Sequence, residues 1–195
     1  MIRAKYSLPI TSPGAMLREE KRAGTKLGVE ADKLTSQGKL VPDEMVNQLV
    51  AHWIERHRDA FVFDGYPRSK GQADAMDQML SARGVALDVV LSLEIDVAAI
   101  RDRVARRVTC SSCAQIFSVG LHVESADAKC PACGGALVKR KDDTAETLAA
   151  RMEEFAAKTE PLISRYREHG ILRSVDAGRR PEVVFESISK ILEGE

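Results

Sequence analysis

The sequence predicts an α/β fold, a parallel sheet with helices on both faces, carrying one helical and one cysteine-bearing insertion. Three observations support it. Short apolar runs at Phe61-Val-Phe63, Val89-Val-Leu-Ser-Leu93 and Ile171-Leu-Arg-Ser-Val175 are too brief for helices, and helical patterns separate them. The stretch 12–42 is charged and helical in pattern, without a good strand. The stretch 108–141 holds all four cysteines, several glycines and few helix formers. The expected division is a core of 1–11, 43–107 and 142–195, with 12–42 and 108–141 inserted on it.

The helices have legible ends. Ser12 followed by Pro13 is an N-cap with proline at the first helical position, opening a helix over 13–23. Pro42 opens one over 42–57, and Gly84 closes one that starts near Ser69. Pro181 opens the last, with Val183, Val184, Ile188, Ile191 and Leu192 at helical spacing.

Composition excludes several classes. A chain of 195 residues supports one domain with a full core and small insertions. Its 29 basic and 29 acidic residues cancel, unlike the basic excess of a general nucleic-acid binder. No apolar run approaches the roughly 18 residues of a membrane span. The start, Met1-Ile-Arg-Ala-Lys-Tyr6, lacks the apolar stretch of a secretory signal, so the expected location is cytoplasmic.

Cys110 and Cys113, then Cys130 and Cys133, form two Cys-x-x-Cys pairs flanking sixteen residues. Without an export signal such pairs read as metal ligands before disulfides. Thiolates at this spacing close a tetrahedral zinc site, and Gly134-Gly135 lets the backbone turn beneath it. Four thiolates leave no open coordination position, so the metal is structural. Iron is the weaker alternative.

Asp64-Gly65-Tyr66-Pro67-Arg68 follows an expected strand, and in open α/β sheets ligands sit beyond the carboxyl ends of strands. An aspartate there suits a magnesium ion, Gly65 allows close backbone approach, and Arg68 offers a planar fork for phosphate. Arg103 and Arg107 are spaced four apart on an expected helix entering the cysteine segment; Arg140 leaves it and Arg151 lies on the next helix. Arginines bracketing an insertion suit a clamp on a transferring phosphoryl group. Arg106, between the first two, reads as a solvated surface charge.

With these residues in place, the chain resembles the adenylate kinase family over essentially its whole length. Ser12-Pro-Gly-Ala-Met-Leu-Arg18 resembles the start of the family's AMP-binding insertion, and Gly38-Lys-Leu-Val-Pro-Asp-Glu44 its end. Residues 61–68 look like the family signature, with Gln72 at the adenine-reading position. Residues 110–143, ending Arg140-Lys-Asp-Asp143, are similar to the zinc-type lid, and Thr159-Glu-Pro-Leu162 and Gly170-Ile-Leu172 to the last helix and strand.

The resemblance implies a P-loop nucleoside monophosphate kinase-like fold with a zinc-ribbon-like lid, catalysing reversible phosphoryl transfer from MgATP to AMP to give two ADP. It implies that Arg18 and Arg68 hold the AMP phosphate, that Gln72 reads the adenine edge, and that Lys39 and Val41 with Gly65 contribute to the AMP site. Arg103 would lie over the ATP adenine. Arg107, Arg140 and Arg151, with Arg68, would stabilise the group in transfer, and Asp64 would orient Mg2+. Zinc would be structural, the chain a monomer without nucleic-acid or membrane partners.

Departures from the family pattern are Pro13 (usually Thr), Ala15 (usually Asp) and Phe117-Ser118 (usually Tyr-His). No Gly-x-x-x-x-Gly-Lys-[Ser/Thr] loop occurs in the 195 residues. The resemblance places that loop on a first strand-turn-helix unit, whose helix end Met1–Tyr6 resembles. The sheet is therefore expected without its first, central strand, a deficit of roughly 20–25 residues. The alternative reading is a non-catalytic AMP-binding zinc protein. A nucleic-acid-binding zinc ribbon is weaker still, given the neutral charge and few aromatics.

Overall fold

The structure, a computed structural model, describes residues 1–36, 41–57, 60–140 and 143–194. In chain order these form α1 (Ile2–Tyr6), β1 (Ile10–Thr11), α2 (Pro13–Ala23), α3 (Lys26–Ser36), α4 (Asp43–Arg56), β2 (Val62–Phe63), α5 (Lys70–Ser81) and β3 (Val90–Glu94). There follow α6 (Val97–Arg106), β4 (Arg107–Cys110), β5 (Ile116–Ser118), β6 (Leu137–Val138), α7 (Ala145–Glu154), a π-helical stretch Phe155–Thr159, α8 (Glu160–Glu168), β7 (Leu172–Asp176) and α9 (Pro181–Glu193). None of the described helices is long and apolar enough to cross a membrane.

Local chemistry sets the helix ends. Ser12 Oγ accepts the Ala15 N–H at 3.2 Å with Pro13 beginning α2, and Gly24 closes it at φ +65°. Ser69 caps α5 by accepting the Gln72 N–H, Asp96 caps α6 through the Ala98 N–H, and Thr144 caps α7 through the Thr147 N–H. Pro42 is the residue before α4 rather than its first, at φ −58° and ψ 148°. Asp43 and Glu44 then occupy the first turn, where the positive end of the helix dipole favours them.

The strands appear where the apolar runs predict them, β3 and β7 one residue later than expected. The expected parallel sheet occurs as two separate pairs. β1 runs parallel to β2 with Ile10 opposite Val62 and Thr11 opposite Phe63. β3 pairs with β7: the Val90 N–H donates to Ile171 O and the Ala177 N–H to Glu94 O, so these strands also run the same way. Among the described residues no strand joins the two pairs. Ile10–Thr11 is a strand that the sequence does not announce, because two residues carry no readable alternation.

The chain divides into two compact units. The first comprises 1–92, 157–173 and 185–195. Its main core joins α2, α4 and α5 through Met16, Val46, Val50, Ile54, Met76 and Leu80. Val50, Ile54 and Met76 are essentially inaccessible, and each such side chain contributes about 1.5–3 kcal/mol by burial. A smaller cluster packs Ala73 of α5 against Leu162 and Tyr166 of α8. The second unit comprises 93–156 and 174–184. Within it β5, β4 and β6 form an antiparallel sheet, with Val108 of β4 fully buried beside Cys110, Cys130 and Leu137.

Candidate active site and metal centre

The four cysteines converge. All four Sγ atoms lie within 4.8 Å of one another, with Cys110 to Cys133 at 3.4 Å and Cys113 to Cys130 at 3.7 Å. Cys110 and Cys130 are buried while Cys113 and Cys133 face outward. Two matching turns produce this: Ala114 N–H donates to Cys110 O, and Gly134 N–H to Cys130 O. Each turn closes with a left-handed residue, Ala114 at φ +60° and Gly134 at φ +73°. Gly135 must be glycine for another reason. A Cβ there would stand 2.5 Å from Ser112 Oγ and 3.0 Å from Cys110 Sγ.

The thiols are tuned against each other. The Cys113 N–H, donating to the Cys110 sulfur at 3.5 Å, leads the interactions that bring Cys110 down to about 6. On Cys113 the Gln115 N–H acts downward, but desolvation and the neighbouring sulfurs outweigh it and push the thiol up to about 12. Four sulfurs this close cannot all ionise without a cation between them, so the donor set fits a thiophilic metal.

In the same unit Arg107 binds a carboxylate. Arg107 Nε donates to Asp143 Oδ2 at 2.8 Å and its Nη2 donates to Asp143 Oδ1. The Asp143 side chain is completely shielded. Hydrogen bonding from Arg107, then the charges of Arg107, Arg140 and Arg151, hold its carboxyl below the usual range. Arg140 Nε also donates to Thr109 Oγ1 at 3.2 Å. Of the four expected phosphate-clamping arginines, Arg107 thus binds Asp143 directly, while Arg140 and Arg151 act on it through their charge.

Arg103 goes elsewhere. Its Nη2 donates to the carbonyls of Ala177 at 2.7 Å and Arg179 at 3.4 Å. The expected single helical face carrying Arg103 and Arg107 does not form, because α6 ends at Arg106 and Arg107 turns into β4 at φ −70° and ψ 130°. Arg106 is the exposed surface charge expected, paired with Asp102 at 2.9 Å.

The first unit holds the signature turn. Asp64 lies just beyond β2, exposed, its N–H donating to Thr11 O at 2.8 Å. Gly65 sits at φ +70°, and Arg68 folds back so that its Nε donates to Gly65 O at 2.7 Å. A Cβ on Gly65 would meet the Arg68 guanidinium at 2.5 Å. Thr159 Oγ1 donates to Arg68 O at 2.8 Å, fixing the turn against the start of α8. Gln72 is buried with both ends of its amide engaged: Nε2 donates to Asp43 Oδ1 at 2.7 Å, and Oε1 accepts the Arg68 N–H at 2.8 Å. Arg18 is exposed on α2, with Nη1 lying 3.4 Å from where a Gly14 Cβ would stand. Val41 packs its side chain against the main core. Lys39 lies outside the described residues.

Residues 1–171 match the family model described as adenylate kinase. The chain belongs to the adenylate kinase family. It is 40% identical to the adenylate kinase of Thermodesulfovibrio yellowstonii over 191 residues, 97% of this chain and 89% of that one. It is 37% identical to that of Archaeoglobus fulgidus over 97% of this chain and 88% of the other, and 32% identical to that of Syntrophomonas wolfei over 99% and 91%. This adenylate kinase is accordingly a nucleoside monophosphate kinase, a phosphotransferase of a family whose substrates are ATP, AMP and ADP.

Two positions of this adenylate kinase chain escaped assignment from sequence. Asp143 was visible only as the last residue of the Arg140-Lys-Asp-Asp run, and Asp43 only as a residue beyond Pro42. Acidic residues at those places read as an insertion end and a helix first turn. The structure puts them in contact with Arg107 and Gln72, two of the residues singled out from sequence.

Proposed function

We propose that this adenylate kinase transfers the γ-phosphoryl group of MgATP reversibly to AMP, giving two ADP, through the residues described above. Arg107, Arg140 and Arg151 stabilise the charge on the phosphoryl group in flight. The observation that carries this role is the two-pronged pairing of Arg107 with the shielded Asp143 carboxylate, on which the charges of Arg140 and Arg151 also act. A fixed anion holds guanidinium groups in place before substrate arrives, so little reorganisation is needed during transfer.

Arg18 and Arg68 hold the acceptor phosphate, with Gly65, Lys39 and Val41 completing the AMP site and Gln72 reading the base. Arg103, held against the 177–179 carbonyls, packs on the ATP adenine. Asp64, exposed at the end of a parallel strand, orients the Mg2+ that arrives with ATP. Cys110, Cys113, Cys130 and Cys133 hold a structural Zn2+, which would supply cross-linking of the two turns and no chemistry. Residues 12–42 act as the AMP-binding insertion and 108–141 as the lid, on a core of 1–11, 43–107 and 142–195. The enzyme works as a cytoplasmic monomer, a compartment whose reducing character suits four free thiols.

The test is ADP formation from equimolar MgATP and AMP, followed by anion-exchange chromatography. Arg140→Ala and Arg151→Ala are expected to lower kcat roughly 100-fold or more, with little change in AMP affinity. A protein that binds AMP but forms no ADP would overturn the transfer assignment. Arginine variants that retain full kcat would overturn the roles given to those side chains.

A further inference from the structure

Gln72 carries two N–H groups on Nε2 and two lone pairs on Oε1. One N–H is given to Asp43 Oδ1 and one lone pair takes the Arg68 N–H. Asp43 is itself anchored, since Ser69 Oγ donates to its other carboxylate oxygen, Oδ2. Ser69 also caps α5. The first turns of α4 and α5 are tied together through this one carboxylate.

The pattern leaves the amide a single orientation. A carboxylate only accepts, so the end facing Asp43 must be the NH2; a peptide N–H only donates, so the end facing Arg68 must be the oxygen. Turning the amide over would set oxygen against carboxylate and NH2 against N–H, leaving buried groups unpaired. Among the described residues one donor and one acceptor of the amide remain, in an order set by the protein.

That order matters for a purine. Adenine presents an N6–H donor beside the N1 acceptor; hypoxanthine and guanine present an O6 acceptor beside an N1–H donor. An amide free to turn over would serve both patterns in the same pose. An amide that cannot turn serves one.

We propose that Asp43 is a specificity-determining positioning residue, which locks the Gln72 amide in the orientation that accepts a 6-amino purine and rejects a 6-oxo purine. The inference rests on the reading that Gln72 contacts the base of the monophosphate. Asp43→Asn removes one of the two constraints: an asparagine can accept from Ser69 while offering its own NH2 to Gln72, so the turned-over amide is opposed by the Arg68 N–H alone.

The experiment measures equilibrium binding of AMP and of IMP by calorimetry to the wild-type chain and to Asp43→Asn, Ser69→Ala and Gln72→Leu, with thermal melting of each. Binding does not depend on phosphoryl transfer, and the AMP-to-IMP affinity ratio is unaffected by a fraction of unfolded protein. In Asp43→Asn the ratio is expected to fall about tenfold or more, largely through gained IMP affinity. Ser69→Ala, which keeps Oδ1 facing Gln72, is expected to hold the ratio within about twofold, the scatter of a single non-contacting change. Gln72→Leu should bring the ratio close to one. If Gln72→Leu does so and Asp43→Asn leaves the ratio unchanged, the locking role is overturned and the base contact stands. If Gln72→Leu leaves the ratio unchanged, the base contact fails and the locking role fails with it.

Discussion

Arg107 and Asp143, thirty-six residues apart in sequence, form a two-pronged ion pair in which the carboxylate is wholly shielded and the guanidinium about one quarter exposed. Removing one member of such a pair leaves an uncompensated charge. Asp143→Ala is therefore expected to destabilise its unit by about 2–4 kcal/mol. Urea melts followed by circular dichroism check it.

The same pair gives a pH dependence with a definite sign. The folded-state carboxyl of Asp143 lies below its ordinary value of 3.8, Arg107 being the leading cause. Its stabilisation is complete above that value and is lost as pH falls through the lower folded value. Wild-type stability should decline below about pH 4 more steeply than that of Asp143→Asn, whose site cannot titrate. Parallel acid slopes for the two proteins would refute the assignment.

Removal of the metal proposed for the four-cysteine site should unravel the surrounding strands selectively. A four-thiolate zinc site can carry roughly 10 kcal/mol of local folding free energy, more than the small cluster around Val108 and Leu137 supplies alone. A strong chelator is expected to release one metal per chain and abolish hydrogen-exchange protection across β4, β5 and β6. Protection in α4 and α5 should persist. Cys133→Ser should reproduce the chelator's effect, read by metal analysis and exchange.

Ala114 and Gly134 occupy matching places in the two cysteine turns, yet only one is a glycine. An alanine at φ +60° bears a left-handed penalty of about 1–2 kcal/mol. Relief of that penalty is partly offset by the greater freedom of glycine in the unfolded chain. Ala114→Gly should raise stability by about 0.5–1 kcal/mol. The reverse change, Gly134→Ala, should lower it, and thermal melts of the metal-loaded proteins compare them.

Two buried tyrosines should respond oppositely to loss of the hydroxyl. Tyr66 donates to Asn47 Oδ1 at 2.7 Å, and burial pushes its phenol well above the usual range. The Tyr166 hydroxyl is buried without a partner among the described residues, and burial pushes it up to about 12. Tyr66→Phe is expected to cost about 1–2 kcal/mol, whereas Tyr166→Phe should be neutral or slightly stabilising. Denaturant midpoints of the two variants decide it.

How much of this was legible follows from how far each interaction reaches along the chain. The Ser12 cap closes on Ala15, three residues away, and the Ser69 cap on Gln72. The cysteine turns close within four residues. Such features are set by neighbouring atoms whatever the rest of the chain does, so residue type and spacing declare them. Strands β3 and β7 were readable as apolar runs, while β1, two residues long, had no period to read.

The sequence by itself determined the starts of α2, α5 and α9, the cysteine set whose sulfurs converge and, through its motifs, the family. Only the tertiary structure decided which partner each charged side chain takes. Arg103 and Arg107 stand one helical turn apart in sequence, yet one reaches carbonyls 74 and 76 residues away and the other a carboxylate 36 away. Gln72 finds Asp43 across 29 residues. A guanidinium or amide accepts any well-placed oxygen, so its own identity carries no information about which one the fold will deliver. Packing delivers it.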